Sequence, residues 1–432
     1  MRVCVVGSGG REHALQEALS RTADEVVVTP GNAGIPGSVP SPPEEVEADL
    51  FVVGPEGPLV DGLADRLRAR GRLVVGPGAD GARLEGSKRW MKELLVEAGV
   101  PTARHAAFSE PEPALAYLRS LEPPYVVKTD GLAAGKGVLV TDSLADASED
   151  VRAKLSGRSF GDAGRTVIIE EGLAGPELSV LCVCDGRRAV PLAPAQDFKR
   201  LGDGDTGPNT GGMGAYSPVP AAGPDVLAEI VDRAVEPTLA ALRDRRVDYR
   251  GVLYCGVMLT TDGPKVLEYN IRFGDPEAQV VLPRFGGDFT AFLREAAAGD
   301  LRSEPAWDTR AAVTVVLAAP GYPAAPQTGD PVHGVAEAAA LPGVTVFCAG
   351  VGRGPAAAPA AAPAAYPEAT PAAGPNANLV TAGGRVLDVT ALGDDVADAR
   401  RRAYEAVSLI HWPGMQYRTD IATAAAHLEV RA

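Results

Sequence analysis

The sequence predicts a multidomain protein of mixed α/β and α+β class that begins with an open parallel α/β sheet. The chain of 432 residues is too long for one ordinary core, and its length suggests roughly three domains. In the N-terminal part, short apolar strands with glycine-rich ends alternate with helical patterns, which is typical of a parallel sheet. After about Pro320 the pattern changes to strands around a segment of almost only alanine and proline, which indicates a separate small α+β domain.

The first predicted strand, at 3–6, runs into the glycine turn 7–10 and then into a helical pattern. This order leaves free N–H groups at a helix start, and such groups attract an anion such as phosphate. It is not the dinucleotide fingerprint, because Glu12 occupies the position of the third glycine. Further strands are predicted at 25–28, 49–53 and 73–75. The crossover at 35–48 is rich in proline, so we expect it to lack a proper helix.

Composition argues against several classes of protein. Aspartate and glutamate number 56 against 41 lysines and arginines, which gives a net charge of −15 and argues against nonspecific binding to nucleic acid or to an anionic membrane. The five cysteines are scattered without a C-x-x-C pair, as expected for small buried side chains in a reducing compartment. The sequence shows neither a signal-peptide core nor an apolar run of membrane-spanning length. We therefore expect a cytoplasmic protein, a monomer or weak dimer, with small-molecule partners.

A glycine-rich hairpin follows the amphipathic helix predicted at 88–98. Its segment 131–137 contains Lys136 and comes shortly after Lys128. It is not a Walker A loop, because Asp130 stands where that motif needs glycine, and because a strand rather than a helix follows. We interpret the hairpin as a flap whose backbone N–H groups and two lysines cover phosphates. An ordinary flexible hairpin is the alternative.

The strand predicted at 265–273 carries the most informative pattern. It forms the second arm of a hairpin, because an apolar run and the favoured turn residues Asp262 and Gly263 precede it. Alternation along a strand places Glu268, Asn270 and Arg272 on one face. Mg²⁺ prefers hard oxygen ligands together with phosphate oxygens, and a guanidinium suits a transferring phosphoryl group. The row therefore predicts a metal–nucleotide site, and a solvated strand face with a Glu–Arg pair is the alternative.

Seven motifs occur in order along nearly the whole chain. They lie at 7–13, 30–34, 53–56, 84–88, 128–137, 205–214 and 272–277. Through them the chain resembles the phosphoribosylamine–glycine ligases, also called glycinamide ribonucleotide synthetases. The resemblance implies the ATP-grasp fold and a reaction in de novo purine synthesis. In that reaction ATP converts glycine to glycyl phosphate, which 5-phospho-β-D-ribosylamine captures to form an amide, with Mg²⁺ or Mn²⁺ as cofactor.

The resemblance also implies a division of the chain into domains. We expect an N-terminal α/β substrate domain at 1–100, a linker at 101–120, a lid at 121–186, a central ATP-grasp domain at 187–318 and a C-terminal α+β domain at 319–432. An Ala/Pro-rich insertion at 354–375 interrupts the last of these.

Individual residues acquire expected roles in the same way. Arg272, Lys128 and Asp205 are expected to be catalytic, and Glu268 and Asn270 to bind the metal. The residues expected to contact ATP are Lys88, Lys128, Gly131, Gly135, Lys136, Gly137, Glu170, Glu171 and Glu177. The residues expected to contact the other substrates are Gly9, Arg11, Glu12, Asn32, Gly54, Pro55, Glu56, Asn209, Gly211, Gly212, Gly214 and Asp275.

Some of these residues have structural interpretations as well. His13 either packs on its own helix or lies in the site, and Glu12 is also placed to stabilise the helix start. Asp275 and Glu277 are also suited to ordering the turn around Pro276.

Four departures from the family pattern leave room for a changed substrate. Phe198 replaces the usual histidine, Ala278 replaces threonine, the crossover at 35–48 is short, and the tail at 420–424 is altered. One alternative function is therefore an ATP-grasp amide ligase of specialised metabolism that uses another amino acid or amine. A nucleotide-binding regulatory protein is a second alternative, which the charged row on the 265–273 strand disfavours.

Overall fold

The computed structural model describes residues 1–133, 137–157, 165–354 and 378–429. Four sheets of four or five strands organise this part of the chain. Nearly all of the predicted insertion at 354–375, together with Gly135 and Lys136 of the predicted flap, lies outside the described residues. Among the helices within the described ranges, none has both the length and the apolar character needed to cross a membrane.

The N-terminal unit contains the parallel sheet that the sequence predicts, with strand order β2-β1-β3-β4. Its elements are β1 (Arg2–Gly7), α1 (Gly10–Leu19), β2 (Glu25–Pro30), β3 (Leu50–Val53), α2 (Glu56–Val60), α3 (Leu63–Ala69), β4 (Leu73–Val75), α4 (Ala79–Gly86) and α5 (Lys88–Glu97). Because β1 and β3 are neighbours, the turns at Gly7 and Gly54 meet at the carboxyl edge of the sheet. The proline-rich crossover contains only one 3₁₀ turn, Pro43–Glu45, as predicted.

The second unit is a small antiparallel sheet with its own hydrophobic core. Its elements are β5 (His105–Phe108), α6 (Pro111–Leu118), β6 (Tyr125–Thr129), β7 (Val138–Thr141), α7 (Leu144–Leu155) and β8 (Val167–Glu171), and the strand order is β5-β8-β6-β7. Leu115 and Leu118 of α6 pack with Val151 of α7 and Val127 of β6 in a cluster separate from the main core. Residues 101–120, expected to form a linker, instead supply β5 and α6, because β5 pairs along its whole length with β8.

The third unit is built around the predicted hairpin. Its elements are β9 (Glu177–Asp185), β10 (Ala189–Pro191), β11 (Gln196–Asp197), β12 (Arg200–Gly202), β13 (Thr206–Asn209), β14 (Gly214–Ser217), α8 (Pro224–Ile230), α9 (Glu236–Asp244), β15 (Arg250–Thr260), β16 (Gly263–Asn270), α10 (Ala278–Val281), β17 (Phe285–Gly286) and α11 (Phe289–Ala298). The sheet order is β10-β9-β15-β16. Thus β9, expected to belong to the lid, pairs instead with β15. A π-helical turn just before Pro237, whose ring nitrogen has no hydrogen to donate, separates α8 from α9.

The remaining elements complete a five-stranded sheet with order β11-β14-β19-β23-β20. They are β18 (Ala306–Trp307), β19 (Ala311–Ala318), α12 (Val335–Ala339), β20 (Val344–Cys348), β21 (Val351–Arg353), β22 (Leu379–Thr381), β23 (Arg385–Gly393), α13 (Val396–Val407) and α14 (Thr423–Glu429). This sheet takes β11 and β14 from the segment expected to be central. The first, third and C-terminal units therefore share one continuous hydrophobic core.

Candidate active site

A cleft of about 620 Å³ lies where α4, α5, β16 and the approach to β23 converge. A second cavity of about 510 Å³ lies at the carboxyl edge of the first sheet, and both cavities are lined by Arg11, Pro55 and Asp275. The two spaces therefore adjoin, so that one ligand in the cleft and another over the first sheet would meet near Arg11 and Asp275.

The structure brings many of the predicted site residues to these cavities. The larger cleft is lined by Arg11, Pro55, Glu56, Lys88, Gly137, Asn209, Gly211, Glu268, Asn270, Arg272 and Asp275. The smaller cavity is lined by Gly9, Arg11, Glu12, Pro55 and Asp275. The described predicted residues that line neither are Asn32, Gly54, Lys128, Gly131, Glu170, Glu171, Glu177, Asp205, Gly212 and Gly214.

Glu268 and Asn270 lie on the face of β16 that borders the cleft. In the β15–β16 ladder, Glu268 pairs with Gly256, which carries no side chain to compete for the space. Burial by itself would raise the pKa of Glu268, but Lys128, Lys199 and Lys88 outweigh burial and hold that pKa below its ordinary value. Glu268 is therefore an ionised carboxylate surrounded by cations.

Arg272 follows the end of β16, which stops at Asn270 rather than at the predicted residue 273. Its Nη2 lies 2.9 Å from Glu85 Oε1, and its Nε lies 3.3 Å from Glu56 Oε2. A third contact, of 3.4 Å, joins Nη2 to Asn270 Oδ1. Burial would lower the pKa of Arg272, but the two carboxylates raise it, so the guanidinium stays charged and its position is fixed.

Glu85 is a cleft residue for which the sequence analysis predicted no role. Its Oε2 accepts a hydrogen bond of 2.9 Å from the backbone N–H of Ile271, beside the Arg272 ion pair. Burial raises the pKa of Glu85, with Arg272 acting in the opposite direction. The available signal was its place in the motif at 84–88, where Lys88 alone was assigned a function.

Two lysines approach the row on β16 from the first and second units. Lys88, at the start of α5, donates to the backbone oxygen of Gly131 at 2.9 Å. Lys128, on β6, donates to the Leu267 oxygen at 3.1 Å and lies 3.0 Å from Glu170 Oε1. The carboxylate of Glu170 is buried and lines neither cavity, so this side chain is not exposed to a ligand in the cleft.

The described part of the predicted flap covers one side of the cleft. Leu132, Ala133 and Gly137 line the cleft. A Cβ at Gly137 would lie 2.5 Å from Thr129 Cγ2, so only glycine fits where the hairpin closes. The predicted contacts of Gly135 and Lys136 lie outside the described residues.

Three further charged residues form a chain along the wall near β9 and β11. Lys199 Nζ lies 2.6 Å from Glu177 Oε1 and 2.8 Å from Asp197 Oδ1. Burial raises the pKa of Glu177 and of Asp197, while Lys199 acts against the rise in both. Glu177 is thus held by Lys199, and Glu171 is held by Arg104, whose Nε lies 3.4 Å away.

The turn between β1 and α1 is folded around the Glu12 side chain. Oε2 accepts from the Gly9 N–H at 2.6 Å, and Oε1 accepts from Arg11 Nε at 2.6 Å. A Cβ at Gly54 would lie 1.9 Å from Glu12 Oε1, which explains the glycine there. Glu12 therefore shapes the turn that the sequence predicts to bind an anion, and the interpretation of Glu12 as a helix-start residue fits this geometry.

Asn32 and His13 both connect the first unit to the C-terminal unit. Asn32 Nδ2 donates to the backbone oxygens of Cys348 at 3.0 Å and Ala349 at 2.8 Å. His13 Nδ1 accepts from the Cys348 N–H at 2.8 Å, and burial lowers the pKa of His13 to about 4. A packed, neutral histidine is thus the interpretation that the structure supports.

The motif segment 205–214 divides between the cleft and the C-terminal tail. Asn209 and Gly211 line the cleft, whereas Asp205 lies in the β12–β13 turn with φ of 54° and receives a hydrogen bond of 2.7 Å from Arg418 Nη1. Asp205 thus pairs with Arg418 and lines neither cavity, and its expected catalytic role stays a prediction. Gly212 packs on Pro276, and Gly214 begins the buried strand β14.

Phe198, the most conspicuous departure from the family pattern, does not line either cavity. The guanidinium of Arg418 stacks over its ring at 4.9 Å from the ring centroid. Phe198 therefore supports the loop through Arg418 and makes no contact with the space available to substrates.

Arg385 and Tyr322 are polar cleft residues from the C-terminal unit that were not predicted. Arg385 Nη2 lies 2.9 Å from Asp275 Oδ2, and its Nη1 donates to the Gly211 oxygen at 2.7 Å. The Tyr322 hydroxyl accepts from the Gly211 N–H at 3.0 Å. Neither residue belongs to a local motif, so their place in the cleft follows only from the packing of the C-terminal unit.

The donor set near β16 fits a divalent cation bound together with phosphate. The described residues contain no group of three or more His, Cys, Asp and Glu side chains arranged to hold a metal ion. Glu268 and Asn270 nevertheless supply two hard oxygen donors beside several cations, and Mg²⁺ commonly takes one or two protein oxygens and completes its shell with water and phosphate. The site therefore suits a metal that arrives with a polyphosphate.

Comparison with known proteins gives matches along the whole chain. Phosphoribosylglycinamide synthetase domains match in order, with the N domain at 1–85, the ATP-grasp (A) domain at 86–278 and the C domain at 312–424. The phosphoribosylamine–glycine ligase of Xanthomonas axonopodis pv. citri is 45% identical over 451 residues, and the match covers 100% of this chain and 100% of the relative. That of Escherichia coli strain K12 is 42% identical, with 99% of this chain and 100% of the relative covered.

Solved structures agree with the sequence matches. The crystal structure of phosphoribosylamine–glycine ligase from Thermotoga maritima superposes with a TM-score of 0.83 at 36% identity, covering 98% of this chain and 100% of that one. N5-carboxyaminoimidazole ribonucleotide synthetase from the same organism gives a TM-score of 0.60 at 15% identity, with 95% and 99% covered, and shows likeness of fold alone.

Proposed function

The chain belongs to the phosphoribosylglycinamide synthetase family, and from this premise we propose how its cleft joins glycine to 5-phospho-β-D-ribosylamine at the expense of ATP. The activity is that of an ATP-dependent carbon–nitrogen ligase of purine biosynthesis with an ATP-grasp fold. The observation that carries the site assignment is the convergence of Lys88, Lys128 and Arg272 on Glu268 and Asn270.

The chemistry requires such a site. A carboxylate is a poor acyl donor, so the glycine carboxylate first attacks the γ-phosphorus of ATP, and the γ-phosphoryl group is transferred to it as ADP leaves. The amine of the ribosylamine then attacks the acyl carbon, and the C–O bond to phosphate breaks. Amide, ADP and phosphate are the products, and one proton is released from the amine. Arg272 is held charged beside the reacting groups, where it stabilises negative charge on the transferring phosphoryl group.

We assign the metal to Glu268 and Asn270, which would hold Mg²⁺ or Mn²⁺ with phosphate oxygens. When bound, the metal neutralises phosphate charge. The Glu268 carboxylate is ionised, as a metal ligand must be, because nearby lysines keep its pKa low.

The nucleotide phosphates are assigned to Lys88, Lys128 and the flap residues Gly131 and Gly137. The backbone of Glu170 and Glu171 on β8 is assigned to the adenine, and Glu177 to the ribose. The small unit containing β5–β8 is the lid in this proposal. Its separate core supports the assignment, because a unit with its own core can move as a body. Closure would exclude water, which would otherwise hydrolyse the acyl phosphate.

The ribosylamine phosphate is assigned to the smaller cavity, against the turn that begins α1. Gly9 and Arg11 line that cavity, and Arg11 and Asp275 also border the larger cleft. Glycine is assigned to the space between Asn209, Gly211 and Arg272. In this arrangement the amine of one substrate reaches the activated carboxylate of the other at the junction of the two cavities.

A ligase of specialised metabolism is not favoured. The main reason to consider it was Phe198, and the guanidinium of Arg418 stacks on that ring outside the cleft. The shortened crossover at 35–48 is a local difference within a match that covers the full length of the relatives. We also propose a cytoplasmic location, since all five cysteines are buried and unpaired.

Isotope transfer tests the proposed reaction. Glycine labelled with heavy oxygen in its carboxylate is incubated with the protein, Mg²⁺-ATP and freshly generated phosphoribosylamine, and the released phosphate is examined by mass spectrometry. One labelled oxygen should appear in each phosphate. Unlabelled phosphate accompanied by amide product would contradict the acyl phosphate route.

A further inference from the structure

Three buried charged side chains, Lys92, Lys128 and Glu170, form a cluster behind the cleft. The proposed ATP site assigns no role to Lys92. Lys92 Nζ lies 3.0 Å from Glu170 Oε2, and Lys128 Nζ lies 3.0 Å from the other oxygen of the same carboxylate. Lys92 is 1% exposed and lines neither cavity. It lies one helical turn after Lys88 on α5, but it faces the interior while Lys88 reaches the cleft.

The cluster joins four elements from three units. Lys92 also donates to Thr102 Oγ1 at 2.7 Å, and Thr102 donates to the Val266 oxygen on β16 at 2.6 Å. Lys128 donates to the neighbouring Leu267 oxygen at 3.1 Å. The two lysines thus contact different oxygens of the Glu170 carboxylate, and both are connected to the strand that carries Glu268.

The charges of the cluster do not cancel. Two ammonium groups and one carboxylate leave a net charge of one positive unit. Burial would raise the pKa of Glu170, but Lys128 and Lys92 hold it below its ordinary value. Burial lowers the pKa of Lys92 to about 8 against the pull of Glu170, which leaves Lys92 mostly charged at neutral pH.

Without Lys92, Glu170 would have Lys128 as its single cationic partner in this cluster. The pair would then be neutral, and Lys128 would offer far less attraction to an anion in the cleft, because the field of an ion pair falls off faster than that of a single charge. Glu268 would lose part of the same support, since Lys128 is the first of the cations that keep its pKa low.

We propose that Lys92 is a positioning residue for nucleotide binding: it shares Glu170 with Lys128 and so preserves the positive charge that Lys128 presents to the polyphosphate. This inference rests on the proposed role of Lys128 in the ATP site. Lys92 itself touches no substrate. A purely structural salt bridge is the competing explanation, and the two differ in how they respond when Glu170 is neutralised as well.

The experiment measures the dissociation constant of Mg²⁺-ATP by calorimetry for four variants beside the wild type, with the melting temperature of each recorded. Lys92→Met should weaken binding by roughly tenfold or more, because Glu170 then neutralises Lys128 alone and the cluster loses its net positive charge. Glu170→Gln removes the carboxylate that both lysines share and raises the net charge of the cluster to two positive units, so it should bind Mg²⁺-ATP at least as tightly as the wild type. The double variant K92M/E170Q should recover most of the affinity lost in K92M, because the neutral amide no longer cancels the charge of Lys128.

Lys154→Met is the matched control. Lys154 is also a buried lysine paired with a carboxylate, Asp150, but it lies on α7 of the lid and lines neither cavity. Its loss should lower the melting temperature without a change in Mg²⁺-ATP affinity. Should K92M fail to fold, Lys92→Gln and Lys92→Arg replace it: the neutral variant should lose affinity as expected for K92M, whereas the variant that keeps the charge should bind within about threefold of the wild type.

Two results would overturn the inference. One is wild-type affinity in folded K92M, and the other is a double variant that binds as weakly as K92M or more weakly. Absence of Mg²⁺-ATP binding in the wild type is a different failure, because it would overturn the proposed function and this inference with it.

Discussion

Arg272 and Glu85 are 187 residues apart in sequence, and their side chains form an ion pair of 2.9 Å. The other oxygen of Glu85 accepts the backbone N–H of Ile271, so the carboxylate holds both the side chain and the backbone at the end of β16. Arg272 is therefore fixed in position before any ligand enters, which is the arrangement expected of a group that stabilises a transition state.

The first prediction concerns this pair. Glu85→Gln should lower kcat by roughly tenfold to a hundredfold. Without the ion pair the Arg272 guanidinium shifts, and a small displacement of a group that stabilises the transition state slows the reaction strongly. The KM for ATP should change much less, since the lysines that attract the nucleotide are untouched. Steady-state ADP release provides the measurement. Glu93→Gln, which removes an exposed ion pair with Arg89 on α5, is the control and should leave both constants unchanged. A Glu85→Gln enzyme with normal kcat would contradict the account.

The second prediction concerns the metal. Glu268→Gln should weaken Mn²⁺ binding in the presence of ATP by roughly tenfold or more, because a charged oxygen ligand becomes a neutral one. Electron paramagnetic resonance of free Mn²⁺ measures this directly. Glu177→Gln, which alters a carboxylate held by Lys199 rather than one on β16, should have a much smaller effect. Equal Mn²⁺ affinity in the Glu268 variant and the wild type would exclude Glu268 as a ligand.

How far the sequence predicts this site depends on the range of the interactions. The shared face of Glu268 and Asn270 follows from alternation along one strand, so it can be predicted locally. Tyr322 and Arg385 reach the cleft only because distant units pack together, and no local pattern signals that packing, whereas Glu85 lies in the motif at 84–88 and was assigned no role there. Asp205 is the converse case, since its motif predicts a site residue while its side chain pairs with Arg418 and lines neither cavity.

The fold, like the site, has features that local patterns predict and features that depend on long-range packing. Apolar strands that end in glycine predict that the first sheet is parallel. The prolines of the crossover at 35–48 predict that it lacks a helix. By contrast, the pairing of β5 with β8 and the place of β11 and β14 in the C-terminal sheet depend on contacts between residues far apart in the sequence. They could not be predicted from composition, which is why 101–120 had the appearance of a linker.

The third prediction concerns Phe198. Phe198→His should leave kcat and both substrate KM values within about twofold of wild type, because the side chain faces Arg418 and not the cleft. Phe198→Ala should destabilise the protein by roughly 1 to 3 kcal/mol through lost packing and stacking. Chemical denaturation and a panel of amino acids as substrates supply the measurements. A change of amino acid preference in Phe198→His would contradict this prediction and show that residue 198 affects substrate choice.

The fourth prediction concerns His13 and pH. Its folded pKa of about 4 lies below the ordinary value of 6.5, so the folded state binds fewer protons than the unfolded state between these values. The stabilisation is present above pH 6.5 and is lost as pH falls toward 4. A shift of this size corresponds to roughly 3 kcal/mol at most.

Comparison with His13→Gln isolates this contribution, because glutamine does not titrate. The wild type should lose more stability than the variant between pH 6.5 and pH 5, as measured by urea denaturation. Parallel curves for the two proteins would show that His13 is not held neutral in the fold.

The most direct test of the central claim is ADP release by the purified protein with Mg²⁺-ATP, measured with glycine and freshly generated phosphoribosylamine, together and separately. We predict that rapid ADP release requires both substrates and that it is matched, mole for mole, by amide product. ATP binding without this joint requirement, or robust turnover with another amine in place of the ribosylamine, would contradict the assignment of the cleft.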